Sequence, residues 1–493
     1  MIELSSLVAY FVLAFIGLFT YKVYIFPYYI SPLRKIPGPP SENLLYGNLK
    51  TLFVEESGEP HKRWVKKYGN FIKYYGFLNK PTIVVTDAKI IKDIFLTQGY
   101  DFVKSNVIRG DIIRIVGKGI STVEGETHKR QRKMMNPAFA HNNIKNMVPT
   151  FSRLAFKLKC LIEDDVNKGE SKINFIPYIS KTTLDIIGLV GFNHEFNAST
   201  SPSELAEAYD HLMGKELTKL SIIISLLSVY LPVIRKIPID INKRFNNAFN
   251  VIERESKKLI EERYHNDENS GNDLLSLLIN INKTLPNDEK MTKDELRYQI
   301  MTFLLTGHET TSITTSWALY FLAQHPHEQD LLREELVKAF PDKSKFNPTF
   351  DEINSLDCLN SVVKETLRLL PPAATIYRLS IKDKNTIIDI PIATIHRLPS
   401  VWGSTADIFY PKRWLDPSMI KDVSNYNYLP FGVGIRACIG YKLSITEFKI
   451  LLSVLVRNFI FQPVEGLNIK KRPGVNLSRP DPYLELIISN VKV

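Results

Sequence analysis

The sequence predicts a mainly α-helical protein with a minor β part, folded as one large domain behind an N-terminal transmembrane helix. Three observations support this: an uncharged apolar run at the N-terminus, helical periodicity through the middle of the chain, and short alternating segments that read as strands. The chain has 493 residues, 44% of them hydrophobic and 23% charged, with no internal repeat or low-complexity tract. This composition is typical of a folded chain, so we expect one core rather than several domains.

The predicted membrane anchor occupies residues 1–30. The segment Leu4–Tyr21 contains no charged residue, and a helix rising about 1.5 Å per residue can just cross a bilayer core of about 30 Å at that length. A cleaved signal peptide also starts with an apolar run, but no basic segment precedes this one and no small-x-small site follows it. The positive residues Lys22, Arg34 and Lys35 come after the run, which leaves the rest of the chain in the cytoplasm.

A proline-rich linker is predicted over residues 31–40. The segment Ile36-Pro-Gly-Pro-Pro40 cannot continue a helix and favours a stiff, extended chain. Such a segment is either a plain connection or a rigid spacer that orients the globular part on the membrane. The globular domain is then predicted over residues 41–493.

Charge and cysteine usage narrow the classes of partner. The net charge is +11, but the basic residues are spread along the chain and form no stripe interleaved with aromatic residues, so we expect no nucleic-acid partner. A diffuse positive charge suits membrane lipid or an acidic partner protein. The three cysteines, Cys160, Cys358 and Cys438, share no close spacing, which disfavours a disulfide framework and a zinc cluster. A lone cysteine in a special setting then indicates a ligand or a nucleophile.

The secondary structure is predicted in order along the domain. A helix near residue 60 is followed by strands at 71–75 and 82–86, and helical periodicity dominates from about 125 to 345. The last third mixes a helix at 360–370, short strands, loops rich in proline and glycine, and a final helix after Ile439. The most periodic helical segments are Val251–His265, Leu274–Ile281, Lys293–Gln324 and Glu328–Phe340.

The strongest functional signal is the loop Phe431-Gly-Val-Gly-Ile-Arg-Ala-Cys-Ile-Gly440. Glycines let the backbone approach a flat ligand, and a thiolate near backbone N–H groups and a helix N-terminus is stabilised as the anion. Such a thiolate can ligate iron, whereas a cysteine alone would more often be a buried structural residue. The pattern Phe-x-x-Gly-x-Arg-x-Cys-x-Gly resembles the haem-binding loop of the cytochrome P450 family. Further motifs in the family's order extend the resemblance over essentially the whole chain.

The resemblance implies a membrane-anchored haem-thiolate monooxygenase. Cys438 would be the axial ligand of the iron in haem b (iron protoporphyrin IX), and Phe431 and Gly432 would contact the haem. Dioxygen would be the co-substrate, and one of its atoms would enter a lipophilic organic substrate. Electrons would come from NADPH through a flavoprotein reductase or a small haem electron carrier. The resemblance also implies a single-pass protein of the endoplasmic reticulum membrane, with residues 41–493 as a cytoplasmic catalytic domain.

The segment Thr306-Gly-His-Glu-Thr-Thr311 on the long predicted helix resembles the family's oxygen-activating segment. Cleaving an O–O bond requires protons inside a dry pocket, where the Glu309 carboxylate would feed a relay and the Thr310 hydroxyl would hold an ordered water. We expect Gly307 to permit a local opening of the helix. By itself, the segment would equally suit an exposed helix turn.

Glu365 and Arg368 share one face of a predicted helix because they are spaced i, i+3. At the surface such a pair contributes only about a few tenths of a kcal/mol. In the resembled family the pair is buried and joins an arginine from a Pro-x-Arg-aromatic motif, which Pro411-Lys-Arg-Trp414 matches. The resemblance therefore implies that Glu365, Arg368 and Arg413 hold the scaffold behind the haem thiolate.

Three arginines match family positions that neutralise the haem propionates: Arg132, Arg378 and Arg436. Guanidinium groups suit carboxylates because they donate two parallel hydrogen bonds. His128 stands where the family commonly has tryptophan, and it could still donate to a propionate. The apolar stretch after Pro371-Pro372 resembles the family's substrate wall. The residues implied to line the substrate pocket are Ala373, Ala374, Ile376 and, on the long helix, Leu305.

The chain departs from the family between Arg378 and Ala393. The segment Ile387-Ile-Asp-Ile-Pro391 runs almost directly into Ala393-Thr-Ile-His396, so roughly ten residues of a strand-turn-strand are missing, and we expect disturbed strand register and an altered pocket wall. Two other functions stay open. A haem-thiolate isomerase or dehydratase would need no dioxygen, which the intact Glu309–Thr310 pair disfavours. A catalytically idle haem-binding or membrane scaffold protein is favoured only by the shortened segment.

Overall fold

The computed structural model describes residues 4–105, 112–212, 224, 227–228, 231–265, 271–382, 386–472 and 477–491, and over these residues it is mainly helical. The α-helices for which we use labels are α1 (Leu4–Thr20), α2 (Leu49–Val54), α3 (Glu59–Tyr68), α4 (Ala88–Lys92), α5 (Gly125–Met135), α6 (His141–Asn167), α7 (Phe175–Phe192), α8 (Glu204–Leu212), α9 (Asp240–His265), α10 (Leu274–Thr284), α11 (Lys293–Gln324), α12 (Pro326–Ala339), α13 (Phe350–Ser355), α14 (Asp357–Leu369), α15 (Ile392–Ile395), α16 (Pro399–Trp402), α17 (Pro417–Ile420) and α18 (Tyr441–Asn458).

The strands are short. They are β1 (Phe71–Tyr75), β2 (Pro81–Val85), β3 (Phe102–Lys104), β4 (Lys172–Asn174), β5 (Ile376–Ser380), β6 (Thr386–Ile390), β7 (Phe459–Pro463), β8 (Lys470–Lys471), β9 (Pro480–Asp481) and β10 (Glu485–Asn490). Among the described strands, one sheet has the order β1-β2-β6-β5-β3, a second has the order β4-β10-β7, and β8 pairs with β9. The mainly α class with a minor β part is therefore confirmed.

Helix α11 lies at the centre of the helical part, and its predicted bounds are confirmed. Its start is fixed by a capping box in which Thr292 and Glu295 satisfy each other's backbone N–H groups. The helix packs on α7 and α18, and most of its side chains are buried. A helix this long and this buried is a rigid support for any side chain that it presents to an interior space.

The expected disturbance of strand register is wrong for the described strands. β5 and β6 pair antiparallel from Ile376↔Ile390 to Ser380↔Thr386, and β6 pairs in parallel with β2. Ile388 and Ile390 lie on the same face of β6 and pack in the same hydrophobic cluster as Ile83, and this packing fixes the register. Residues 383–385, between the two strands, lie outside the described residues.

The apolar N-terminal helix does not stop at Thr20. It continues as a wider helical segment over Tyr21–Ile30, and Ser6–Ile30 is long and apolar enough to span a membrane, with a mean hydropathy of 1.8. Its last turns contact the domain, because Tyr28 stacks on Tyr75 and the buried Asn79 amide donates to the Val23 carbonyl at 3.0 Å. Helix α7 is also apolar enough by composition, but most of it is buried in the core.

The proline-rich segment 31–40 lies against strand β1. The Lys73 backbone N–H donates to the Pro37 carbonyl at 2.9 Å, and the Lys73 ammonium donates to the carbonyls of Leu33 and Arg34 at 3.0 and 2.6 Å. A Cβ atom at Gly38 would lie 1.8 Å from the Lys73 carbonyl oxygen, so only glycine fits there. The segment is thus fastened to the edge of the sheet and is not a free spacer.

Candidate active site

The cysteine loop folds over a turn of the preceding chain. The Cys438 backbone N–H donates to the Phe431 carbonyl at 2.8 Å, which closes the loop. Gly434 has φ +74°, and a Cβ there would lie 2.2 Å from the Phe95 carbonyl oxygen. The sequence requires glycine at this position because the loop backbone packs directly on the turn Asp93–Thr97.

Cys438 lies deep in the protein, yet its side chain keeps accessible surface. Burial raises the pKa of the thiol, while the Gly440 backbone N–H and the positive charge of Arg132 oppose that rise. A side chain that is both deep and accessible lies on the wall of an interior space. A single sulfur that faces such a space, next to backbone donors and a helix N-terminus, fits an axial ligand of haem iron.

Helix α11 presents an accessible stripe within an otherwise buried stretch. Thr306 is exposed and Gly307 and Thr310 are half-buried, whereas their neighbours are buried. Residues spaced i, i+1 and i+4 share one side of a helix. Phe139 connects this helix to the cysteine loop, since its ring lies 5.5 Å from that of Phe303 and 3.8 Å from the Cβ position of Gly440. The stripe and the cysteine loop therefore lie close to each other.

Helix α11 is continuous from Lys293 to Gln324, so the local opening that Gly307 would permit stays a prediction. Glycine is needed there for packing: a Cβ atom would lie 2.8 Å from Cγ1 of Ile187 on α7. The Thr310 hydroxyl donates to the Thr306 carbonyl at 2.9 Å. It is therefore engaged with its own helix on the accessible stripe.

Glu309 is buried between Arg479 and His308. Its carboxylate forms an ion pair with Arg479, and the His308 Nε2 atom lies 3.5 Å from the other carboxylate oxygen. His308 Nδ1 must donate to the Leu304 carbonyl, 2.6 Å away, because a carbonyl only accepts. Burial alone would raise the pKa of Glu309, but the His308 hydrogen bond and the Arg479 charge lower it to about 2.

The three predicted arginines surround the cysteine loop. Arg132 donates from Nη1 to the Ala437 carbonyl at 2.6 Å, directly beside Cys438. Arg436 donates to the Gly99 carbonyl and to the Glu124 carboxylate. Arg378 is buried with its guanidinium 5.1 Å from the Phe95 ring, and burial together with the Arg436 charge lowers its pKa to about 10.

His128 is buried beside the same cluster. Its Nδ1 atom lies 3.2 Å from the Tyr100 hydroxyl, and burial together with the charges of Lys104 and Arg436 lowers its pKa to about 4. The side chains around His128 and Arg436 therefore carry a net positive charge, and Glu124 is their acidic member. A cluster with this excess of positive charge fits a ligand that carries two carboxylates, as haem does.

Sequence reasoning missed Glu124, Lys104 and Tyr100. Glu124 is 312 residues away from its partner Arg436, and no local pattern distinguishes it from other surface carboxylates. Lys104 is held by its backbone N–H, which donates to Glu124 at 2.8 Å. Only the folded chain brings these groups to the cysteine loop.

Glu365, Arg368 and Arg413 form one fully buried network. The Glu365 carboxylate accepts from Arg368 at 2.8 and 2.9 Å, from Arg413 at 3.3 Å, from the Tyr410 backbone N–H at 3.0 Å and from the Trp414 indole at 3.0 Å. The spare guanidinium donors of both arginines also reach backbone carbonyls.

His396, which sequence reasoning did not single out, connects this network to the cysteine loop. Its Nδ1 lies 3.0 Å from the Arg368 carbonyl, and its Nε2 accepts from the Leu429 backbone N–H at 2.8 Å. Burial lowers the pKa of His396 to about 3, so the ring is neutral near pH 7. Leu429 lies two residues before Phe431, and the scaffold is therefore joined to the loop through one imidazole.

The four residues predicted to line a substrate pocket have different environments. Ala373 and Ile376 keep accessible surface, and the Ile376 side chain lies 3.8 Å from the Cβ position of Gly432 in the cysteine loop. Ala374 and Leu305 are buried, and Leu305 packs in the main hydrophobic core. Ala373 and Ile376 are thus the two that can present surface to a ligand.

Known proteins resemble this chain over most of its length. The sequence model of the family described as Cytochrome P450 matches residues 37–487. The chain is 36% identical over 476 residues to Cytochrome P450 monooxygenase 205 of Postia placenta, covering 88% of this chain and 87% of the relative. It is 33% identical over 500 residues to Cytochrome P450 monooxygenase 128 of the same fungus (91% and 90%), and 30% identical over 488 residues to Cytochrome P450 monooxygenase sphH of Aspergillus fumigatus (92% and 89%).

Proposed function

We propose that this chain, which belongs to the cytochrome P450 family and is a haem monooxygenase, inserts one oxygen atom of dioxygen into a lipophilic organic substrate. Electrons reach it from NADPH through a flavoprotein reductase, with a small haem carrier as the other possible donor. The proposal depends on Cys438, which lies deep in the protein but keeps accessible surface. Its loop requires glycine at position 434, where a Cβ atom would clash with the Phe95 carbonyl. The apolar surface of Ala373 and Ile376 supports a lipophilic substrate.

The residues that hold haem b are Cys438, Arg132, Arg378, Arg436 and His128. When bound, the haem supplies the chemistry of dioxygen activation, and a thiolate ligand favours cleavage of the O–O bond. Burial raises the pKa of the Cys438 thiol, Arg132 and the Gly440 N–H oppose that rise, and the iron would deprotonate a coordinating thiol. The guanidinium groups and His128 would bind the two propionates, and Phe431 and Gly432 would contact the haem.

Glu309 and Thr310 serve proton delivery. The Thr310 hydroxyl lies on the accessible stripe of α11, where it can bind an ordered water, and Glu309 is the adjacent carboxylate that passes a proton to it. The continuous core packing of α11 excludes bulk water from this side. Glu365, Arg368 and Arg413 act behind the thiolate, where they hold the chain that leads into the cysteine loop.

The apolar helix at the N-terminus fits a membrane anchor. We assign residues 1–30 to a single-pass anchor in the endoplasmic reticulum, residues 31–40 to the linker and residues 41–493 to the cytoplasmic catalytic domain. The positive residues that follow the apolar run support this orientation. The overall positive charge suits an acidic electron donor.

The decisive experiment is the absorption spectrum of the reduced, carbon-monoxide-bound full chain in membranes. We expect the red-shifted Soret band of a thiolate-ligated haem, and we expect Cys438→Ala to lose it. Cys160→Ala is the matched control, since Cys160 is an exposed cysteine on α6. Absence of haem from the unaltered protein, or survival of the band in Cys438→Ala, would contradict the proposal.

A haem-thiolate isomerase would pass that test, so a second measurement separates it. With purified reductase and candidate lipids, a monooxygenase consumes NADPH and dioxygen as it forms product, whereas an isomerase forms product without either. We expect product formation to depend on NADPH.

A further inference from the structure

Arg479 reaches Glu309 from the far end of the chain. It lies next to strand β9, 170 residues after Glu309, and its Nη2 donates to the carboxylate. The side chains of Arg479 and Glu309 are 12% and 6% exposed, so the ion pair is shielded from water. Among the described residues, the buried Nε of Arg479 has no hydrogen-bond partner. Glu309 is therefore held from one side by a guanidinium whose own donors are not all used.

The orientation of the Glu309 side chain does not suit proton donation to Thr310. Its carboxylate points to Arg479 and His308, while the accessible stripe of α11 is formed by Thr306 and Thr310. Burial raises the pKa of Glu309, but the His308 hydrogen bond and the Arg479 charge lower it overall, so the carboxyl is ionised near pH 7. In this arrangement, Glu309 cannot deliver a proton to Thr310.

The segment that carries Arg479 is fastened to the substrate wall. The Ser478 hydroxyl donates to the Pro371 carbonyl at 2.7 Å, and its backbone N–H donates to the Pro372 carbonyl at 2.8 Å. Leu477 also pairs with Ala373 as an isolated bridge. The Trp317 indole of α11 donates to the Ser478 carbonyl. The substrate wall at Pro371–Ala373 is therefore linked to Arg479 through Leu477 and Ser478, the two residues that precede it.

We propose that Arg479 is a positioning residue that holds the Glu309 carboxylate turned away from Thr310, and that the segment 477–481 links its release to the substrate wall at Pro371–Ala373. The inference rests on the proposed role of Glu309 in proton delivery. When the wall moves outwards, Arg479 retreats with Ser478, and Glu309 becomes free to take up a proton and turn to the stripe. Proton delivery is then available when a substrate occupies the pocket and is suppressed when it does not.

The test is a direct titration of Glu309 in the haem-loaded full chain by infrared difference spectroscopy. The carboxyl C=O band of protonated Glu309 is assigned by its loss in Glu309→Gln. We expect the band to appear in Arg479→Gln at a pH higher by about one unit or more than in the unaltered protein, because an opposite charge at contact distance lowers a carboxyl pKa by about that amount. Appearance of the band at the same pH in both proteins would overturn the proposal.

Other charged and titratable groups near Glu309 also affect its titration. Among the described residues they are Arg479 from the C-terminal segment and His308 from its own helix, with the Tyr209 ring of α8 packed 4.8 Å from the His308 ring. His308→Gln in the Arg479→Gln background separates the contributions of the two side chains. A shift produced by His308→Gln alone, with none from Arg479→Gln, would assign the restraint to His308 and overturn the role of Arg479.

Three further variants complete the design. Arg472→Gln removes a guanidinium from the same hairpin, where it faces Asp481, and should leave the titration unchanged. Arg479→Lys should give a smaller shift in the same direction, and it takes the place of Arg479→Gln if that variant does not fold. Ser478→Ala removes the hydroxyl bond to Pro371 and should shift the titration partway. A shift in Arg479→Gln without any in Ser478→Ala would overturn the link to the wall.

Failure of this inference is distinguishable from failure of the proposed function. A protein without a thiolate Soret band would contradict the haem-thiolate assignment and, with it, this inference. An unchanged Glu309 titration in variants that keep the normal Soret band would overturn only the role of Arg479.

Discussion

Two buried carboxylate–arginine systems flank the proposed haem site, and they are built differently. Behind the cysteine loop, Glu365 accepts hydrogen bonds from Arg368, Arg413, the Tyr410 backbone and the Trp414 indole. On the other side, Glu309 is held by one guanidinium and one imidazole. The first system has rigid donors on both carboxylate oxygens, whereas the second depends on a side chain from a distant segment.

The difference indicates different tasks. A buried charge whose partners are all satisfied resists movement, since any displacement leaves other charges uncompensated. Glu365 therefore suits a scaffold that fixes the position of Cys438. Glu309 has fewer partners, and its arginine has an unused donor, so exchanging its partners costs less. Such an arrangement suits a group that must change its protonation and direction during turnover.

Replacing the scaffold carboxylate should have the largest effect. Glu365→Gln leaves Arg368 and Arg413 as buried charges without a counter-charge, so we expect the free energy of unfolding to fall by about 3–5 kcal/mol. The measurement is the urea concentration at which the thiolate Soret band is lost. Normal haem retention and an unchanged urea midpoint in Glu365→Gln would show that the Glu365 network does not stabilise the fold, and the contrast with Glu309 would not hold.

Glu309→Gln should affect chemistry more than stability. We expect haem loading and the Soret band to persist, while product formed per NADPH consumed falls by roughly tenfold or more, as for loss of a group in proton transfer. Thr310→Ala should likewise uncouple NADPH consumption from product. The measurement is product and hydrogen peroxide per NADPH with reductase and a panel of lipids. Unchanged coupling in Thr310→Ala would remove Thr310 from proton delivery.

The scaffold should also show a pH dependence through His396. Its folded pKa of about 3 lies below the usual value of about 6.5, so the unfolded chain takes up a proton that the folded protein excludes. Stability should therefore be full above about pH 6.5 and fall as the pH drops towards 3. His396→Asn should flatten this part of the stability–pH curve, measured by urea unfolding at each pH. An equally steep curve in the variant would assign the acid sensitivity to other groups.

The smallest effect is expected from the matched surface substitution. Glu55→Gln removes the partner of Arg63 in an exposed ion pair, and such pairs contribute about 0–1 kcal/mol. Its urea midpoint should lie close to that of the unaltered protein. A loss as large as that of Glu365→Gln would show that removal of charge in itself, rather than burial, explains the first prediction.

Several features were predictable from the sequence because they are local. The bounds of α11 follow from the apolar periodicity and the Thr292 capping box, and the pairing of Glu365 with Arg368 follows from their i, i+3 spacing. The strands β1 and β2 follow from alternation. The close packing of Gly307 against Ile187 was not predictable in this way, because Ile187 lies on another helix.

By itself, the sequence determined the cysteine loop, the order of its motifs and hence the family, because each motif encodes a backbone conformation within a few residues. Only the tertiary structure decided the partners across long separations. It joined Glu124 to Arg436, Arg479 to Glu309 and His396 to Leu429, and it laid Pro37 on strand β1. Such contacts depend on how distant segments pack against each other, and no local pattern in the chain specifies that packing.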